Sequence, residues 1–200
     1  MPEELSAEIP VTISIEPPFS SAARAVTMRY FDDLVSRYHG RPATAEEIAD
    51  VDAGYPSELL QEPNGLLLLA RRGETVLGCA GMRLVTEPGG TIDTACEGAA
   101  RGEGAAEPTA DAAAATSVPK RVGEVTRVFV DGSARGLGVA RLLMAELEVQ
   151  ARSLGLAALR LDTRSDLVEA RRLYAAVGFA EVDAHNADPY AEHWFRKELD

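Results

Sequence analysis

Residues Arg135-Gly136-Leu137-Gly138-Val139-Ala140 carry the most chemically suggestive spacing in the chain. They follow the strand-like run Val125-Thr126-Arg127-Val128-Phe129-Val130 and open a long amphipathic segment. Glycines at a strand-to-helix turn let backbone N–H groups approach an anion, and the positive end of the helix dipole favours its charge. The segment therefore predicts a phosphate-bearing ligand. A P-loop requires Lys and a hydroxyl residue after its last glycine, and neither follows Gly138. A dinucleotide fingerprint requires a third glycine where Arg141 stands. What remains is the pattern Arg/Gln-x-x-Gly-x-Gly/Ala, filled by Arg135, Gly138 and Ala140.

Two further features flank this loop. Ala170 to Phe179 reads A-x-x-L-Y-x-x-x-G-F, and Glu124 stands eleven residues before Arg135. With them, the stretch from Glu124 to Phe179 resembles the GCN5-related N-acetyltransferases (GNAT superfamily). The resemblance implies acetyl-CoA as co-substrate and no metal. It places the amides of Gly136, Leu137, Gly138, Val139 and Ala140 around the pyrophosphate, with Arg135 adding positive charge. It also implies that the fourth and fifth strands splay after a bulge, so that the backbone of Val128, Phe129 and Val130 holds the pantetheine arm and the thioester oxygen. Glu124 is then the general base and Tyr174 the acid that protonates the leaving thiolate. One position departs from the family: Leu167 stands where Asn is frequent.

The strand period puts Glu124, Thr126 and Val128 on one face, and partial desolvation among Val and Phe neighbours is expected to raise the Glu124 pKa. The expected activity is transfer of an acetyl group to a primary amine by direct attack in a ternary complex. The acceptor, a small molecule or a peptide amine, is open. A CoA-binding sensor or interaction module with little transfer is the alternative. A homodimer is open as well.

Composition narrows the classes. The chain has 200 residues, 46% of them hydrophobic, enough for one domain with a sizeable core. A net charge of −12 argues against nucleic acid, whose phosphates need clustered Lys and Arg. Two cysteines, Cys79 and Cys96, make neither a disulfide framework nor a metal-ligand spacing, and Cys79 reads as a core residue. His39, His185 and His193 have no ligand spacing. The start of the chain lacks a signal-peptide pattern and no apolar run reaches the ~20 residues of a membrane span, so no membrane association and a cytoplasmic location are expected.

Around the loop, the periodicities predict one α/β domain over residues 1–200, with a mixed, twisted, seven-stranded sheet and about four helices. Strands are expected at Ile9–Ile15, Leu66–Ala70, Val76–Val85, Lys120–Val130, Ala158–Asp162, Phe179–Val182 and Trp194–Lys197. A first helix is expected after Ser20 or Ser21, with Val26, Tyr30, Leu34 and Tyr38 inward and a stop at Gly40. A second opens at the capping box begun by Thr44. Two more cover Gly136–Leu154 and Asp166–Val177. Glu87 to Pro119, rich in Ala, Gly and carboxylates, reads as a mobile surface insertion.

Overall fold

Gly73, at φ 59, and Glu74 turn one apolar strand back on the next and set the register of the sheet. A computed structural model describes residues 10–87 and 119–199, so most of the expected insertion, Cys96 included, lies outside the described residues. The first half holds β1 (Val11–Ile15), α1 (Ser21–His39), α2 (Ala45–Gly54), a 3₁₀ turn (Ser57–Leu60), β2 (Gly65–Arg72) and β3 (Thr75–Glu87). The second holds β4 (Lys120–Val130), a 3₁₀ turn (Gly132–Ala134), α3 (Val139–Ser153), β5 (Ala158–Thr163), α4 (Val168–Ala176), β6 (Ala180–Val182) and β7 (His193–Glu198). The seven strands form one sheet in the order β1-β2-β3-β4-β5-β7-β6. All neighbours are antiparallel except β4 and β5, which α3 connects as parallel strands. Among the described residues no helix is long and apolar enough to cross a membrane.

Leu66 to Ala70 of β2 are all apolar because both faces of the strand are covered there. Leu66, Leu68 and Ala70 join the larger core with Leu143 and Leu147 of α3 and Leu159 and Leu161 of β5. Leu67 and Leu69 join the smaller one with Ala23 and Val26 of α1, Leu60, Cys79 and Phe129. The expected caps are present. The Ser20 hydroxyl accepts from Ala23 N at 3.1 Å, Gly40 ends α1 at φ 65, and Thr44 and Glu47 form a capping box.

The buried face of α1 differs from the expected stripe: it comprises Ala23, Val26, Thr27, Phe31 and Val35, while Tyr38 is 56% exposed. Steps of four residues drift about 40° each around a helix, so the stripe Val26-Tyr30-Leu34-Tyr38 winds off the core. α3 begins at Val139, not Gly136, because Gly138 is left-handed at φ 78. α4 begins at Val168, with Leu167 as its N-cap.

Two departures from regular pairing open the sheet. β4 pairs with β5 only over Val122–Glu124 against Ala158–Arg160, although both strands continue beyond. On its other side β4 carries a bulge: Cys79 faces Phe129 and Gly81 faces Thr126, which leaves Ala80 opposite Arg127 and Val128. Arg127 takes φ 53 there. Its buried guanidinium holds the bulge in place, donating to Ser57 Oγ at 2.8 Å and Tyr55 O at 2.5 Å, and lying 5.2 Å from the centre of the Phe31 ring. The extra residue resets the alternation of β4. Val128 therefore packs with Val125 and Val130 on the larger core, and does not share a face with Glu124 as the unbroken strand period implies.

At the last paired position, a row of charges crosses the sheet. Arg83, Glu124, Arg160 and Arg196 stand opposite one another on β3, β4, β5 and β7. Glu124 Oε1 accepts from Arg83 Nε at 2.7 Å and also from Nη2, while Oε2 accepts from Arg160 Nε and Nη2 at 3.0 and 2.7 Å. Glu87 joins Arg160 and Arg196 at 2.7 and 2.9 Å. Glu124 is 6% exposed. Burial alone pushes its pKa up, as expected from sequence. The hydrogen bonds and charges of Arg83 and Arg160 outweigh burial and hold the carboxyl below its usual value, so the expected direction of shift is corrected.

Glu124→Gln leaves both guanidiniums facing a neutral amide and is expected to cost about 3 kcal/mol in urea denaturation at neutral pH. Because the folded pKa is depressed, the Glu124 contribution is complete above the unfolded value of about 4.3 and is lost as pH falls through the folded value. The stability gap between wild type and variant therefore narrows in strong acid.

Candidate active site

Beyond Glu124 and Arg160 the diverging strands leave a gap at the carboxyl ends of β4 and β5, where ligands of parallel α/β sheets bind. The glycine loop forms one side of this end. Gly136 and Gly138 have φ of 80 and 78, and a Cβ on either would meet nothing within 4 Å. Backbone handedness, not crowding, is what requires glycine there. The first backbone bonds of the α3 terminus run from Arg141 and Leu142 back to Gly138 O. The amides of Gly136, Leu137, Gly138, Val139 and Ala140 find no acceptor among the described residues. Unbonded N–H groups at a helix N-terminus are chemically able to accept an anion.

Arg135 is positioned less directly. Its Nε donates to Val130 O at 3.2 Å and its Nη2 to Asp33 at 3.1 Å, so its charge is shared with α1. Val128, Phe129 and Val130 line the open edge of β4: the first and last are half-buried and Phe129 lies in the smaller core. On the β5 side these residues have no strand partner among the described residues.

Tyr174, on α4, is 6% exposed and packs its ring near those of Phe179 and Phe195, with centroids at 6.1 and 5.8 Å. Burial, reinforced by Tyr30 and Asp162, raises its hydroxyl pKa well above the ordinary tyrosine value. Leu167 puts an apolar side chain at the start of α4, its N–H bonded to Arg164 O at 3.3 Å, and supplies no replacement for the family's Asn. Cys79 is buried with Sγ donating to Arg127 O at 3.3 Å, and burial pushes its thiol up to about 12, as suits a core residue.

Several site residues were not singled out from sequence. Asp162 on β5 faces the gap. Its Oδ1 accepts from Asn186 Nδ2 at 2.7 Å, and Asn186 Oδ1 in turn accepts from Trp194 Nε1 at 2.8 Å. Burial raises the Asp162 pKa, and the charges of Asp188 and Glu124 add to the rise. Tyr55 donates to Asp188 at 3.0 Å, and burial pushes the Tyr30 hydroxyl up to about 12. The signal for Asp162 was the alternation Leu159-Arg160-Leu161-Asp162 in a central strand, where a polar face needs a purpose.

A cleft of about 430 Å³ adjoins the gap, lined by Tyr38, Arg164, Ser165, Tyr190 and Glu192 among others. Arg164 is closed off by a bidentate pair with Asp166 at 2.8 and 2.7 Å. His193 links Ser165 Oγ at 3.0 Å to Glu181 at 2.6 Å and so ties the β5–α4 loop to β6 and β7. Among the described residues no group of His, Cys, Asp and Glu is gathered to hold a metal.

Comparison with known proteins found chains of similar sequence and fold. Over 174 residues the chain is 29% identical to the IAA acetyltransferase of Azospirillum brasilense, covering 86% of this chain and 85% of that one. Its fold is similar to a GNAT-family acetyltransferase of Staphylococcus aureus Mu50, with TM-score 0.59 and 11% identity over 96% of this chain and all of that one. It is also similar to yncA of Salmonella typhimurium, solved with its cofactor acetyl-CoA, with TM-score 0.50 and 16% identity over 95% and 94% of the two chains. The family model described as "Acetyltransferase (GNAT) family" matches residues 28–179, a span that runs from α1 through the bulged β4 and the glycine loop to the end of α4. The chain belongs to the GNAT acetyltransferase family.

Proposed function

We propose that this protein transfers an acetyl group from acetyl-CoA to a primary amine by direct attack within a ternary complex. The observation that carries the proposal is the juxtaposition of an unpaired strand edge, acceptor-free amides at a helix N-terminus and a buried tyrosine around one gap. In this reading the amides of Gly136 to Ala140 hold the pyrophosphate, since Arg135 is shared with Asp33. The backbone of Val128, Phe129 and Val130 bonds the pantetheine arm and polarises the thioester oxygen, satisfying groups that would otherwise lack partners.

Tyr174 keeps its proton at neutral pH and delivers it to the thiolate as the carbon–sulfur bond breaks. Glu124 enters as the clamped carboxylate that fixes the vertex of the gap. Its two arginine partners make it a weak acceptor of the ammonium proton. A CoA-binding module without transfer is the second reading, favoured by the apolar Leu167 at the start of α4.

Calorimetric titration is expected to show micromolar binding of acetyl-CoA, with no comparable heat from ATP or NAD. Gly138→Val is expected to weaken that binding at least about tenfold, because a β-branched residue held at φ 78 costs roughly 1–2 kcal/mol and pushes the backbone away from the anion. Tyr174→Phe tests the acid. Acetyl-CoA affinity is expected to stay unchanged while kcat on primary amines falls about a hundredfold. Equal loss of both would make Tyr174 a packing residue, and binding without turnover in the wild type would favour the sensor reading.

A further inference from the structure

α1 joins the two loops between which the gap opens. The β4–α3 loop leads away from one strand of the gap and the β5–α4 loop from the other. On the glycine-loop side, Arg29 pairs with Asp131 at 3.5 Å and Asp33 with Arg135 at 3.1 Å. On the β5 side, Arg37 pairs with Glu169 of α4 and donates to Asp166 O at 3.4 Å, while Arg164 donates to Leu34 O at 3.3 Å. Arg29, Asp33 and Arg37 follow one another at the i, i+4 spacing, so they form one stripe about 12 Å long on α1.

Within the stripe, Asp33 Oδ2 also lies 4.0 Å from Arg37 Nη1. Arg135, Asp33, Arg37 and Glu169 therefore make a chain of alternating charge, from the loop after β4 to the helix after β5. The hydrogen bond from Arg37 holds the Glu169 pKa down, and the charge of Arg135 adds to the drop. The two ends of this chain are held unequally. Arg135 reaches α1 through a single hydrogen bond, from Nη2 to Asp33, between side chains 50% and 36% exposed. Its Nε is anchored separately on Val130 O at 3.2 Å, and Nη1 donates to nothing among the described residues. An exposed ion pair of this kind is weak and exchanges readily.

We propose that Asp33 is the positioning residue of Arg135: it holds the guanidinium on α1 and yields it to the phosphates of the ligand. The proposal rests on the acetyl-CoA reading above. When an anion settles on the amides of Gly136 to Ala140, the Nη2 donor turns from Asp33 to a phosphate oxygen while Nε stays on Val130 O. Asp33 falls back on Arg37, one helical turn further along, in the acid-before-base order that suits a helix. The exchange leaves no carboxylate of the chain unpaired, and no proton moves. Arg135 adds to affinity only the difference between two ion pairs, and Asp33 sets that difference without touching the ligand.

The test is a double-mutant cycle over Asp33→Asn and Arg135→Gln in the full chain, read by calorimetric titration with acetyl-CoA and, separately, with inorganic pyrophosphate. Asp33→Asn is expected to tighten acetyl-CoA binding about threefold to fivefold. Beside Arg135→Gln, the same change is expected to alter the affinity by less than about twofold. Arg37→Gln is expected to weaken binding about threefold, because Asp33 then lacks its second cation and keeps Arg135, and to lose that effect beside Asp33→Asn. Pyrophosphate is expected to show the same pattern at lower affinity. Asp33→Asn and Arg135→Gln are expected to unfold at temperatures near that of wild type.

Unchanged or weaker acetyl-CoA binding in Asp33→Asn overturns the proposal. So does an equal tightening beside Arg135→Gln, which would make Asp33 a distant repulsive charge with no hold on Arg135. A loss in Arg37→Gln that persists beside Asp33→Asn also overturns it, since Arg37 would then act on the ligand directly. Wild-type protein that binds no acetyl-CoA counts against the acetyltransferase reading instead, and the pyrophosphate cycle then decides on Asp33 alone. Absence of pyrophosphate binding as well overturns both.

Discussion

One carboxylate held between two guanidiniums sits at the point on which this architecture turns. A sheet gains by continuing to pair, and strands that part company leave backbone groups without partners. For β4 and β5 to diverge at a fixed place, the last pair must be held firmly and the departing strand redirected. Glu124 does the first, locked to Arg83 and Arg160 across three adjacent strands. Arg127 does the second, held in a left-handed conformation by Ser57, the Tyr55 carbonyl and the Phe31 ring. Both devices spend ionisable groups on shape. The gap they create lies at the carboxyl ends of β4 and β5.

The same constraint separates the two carboxylates of the gap. Glu124 and Asp162 are both largely buried, and burial pushes both pKa values up. What distinguishes them is the company each keeps. Two arginines in direct contact reverse the shift for Glu124, whereas Asp162 has an amide and two carboxylate neighbours, and its shift stands. Different surroundings thus drive two like groups in opposite directions. Glu124 is clamped by two guanidiniums, whereas the Asp162 carboxyl on the neighbouring strand is held by the Asn186 amide.

The parts legible in the sequence were those determined locally. The glycine loop, the Ser20 and Thr44 caps and the Gly40 stop depend on a few adjacent residues, and the strands followed from alternation or from short apolar runs. The parts that escaped depend on partners distant in the chain. Glu124 reads as a desolvated carboxylate until Arg83 and Arg160, 41 and 36 residues away, are folded against it. Val128 reads as sharing a face with Glu124 until the bulge at Arg127 shifts the period, and nothing about an arginine announces a positive φ. The inward face of α1 was misplaced because Tyr30 and Tyr38 are apolar enough to fit a stripe, yet Tyr38 stands outside.

Several cations near the glycine loop are already paired. Arg135 is paired with Asp33, Arg29 with Asp131 and Arg37 with Glu169. In a chain of net charge −12, each of these three arginines has a carboxylate partner. Point charges neutralised in this way contribute little to the attraction of an anion. The amides of Gly136 to Ala140 cannot be neutralised, because their dipoles are built into the turn and the α3 terminus. Attraction at the loop is therefore short-ranged, set by geometry, and dependent on the left-handed conformation of Gly136 and Gly138. The Asp162 and Asp188 carboxylates place negative charge on β5 and the β6–β7 connection, so the glycine loop and this side of the sheet differ in sign: positive ends of backbone dipoles on one, carboxylates on the other.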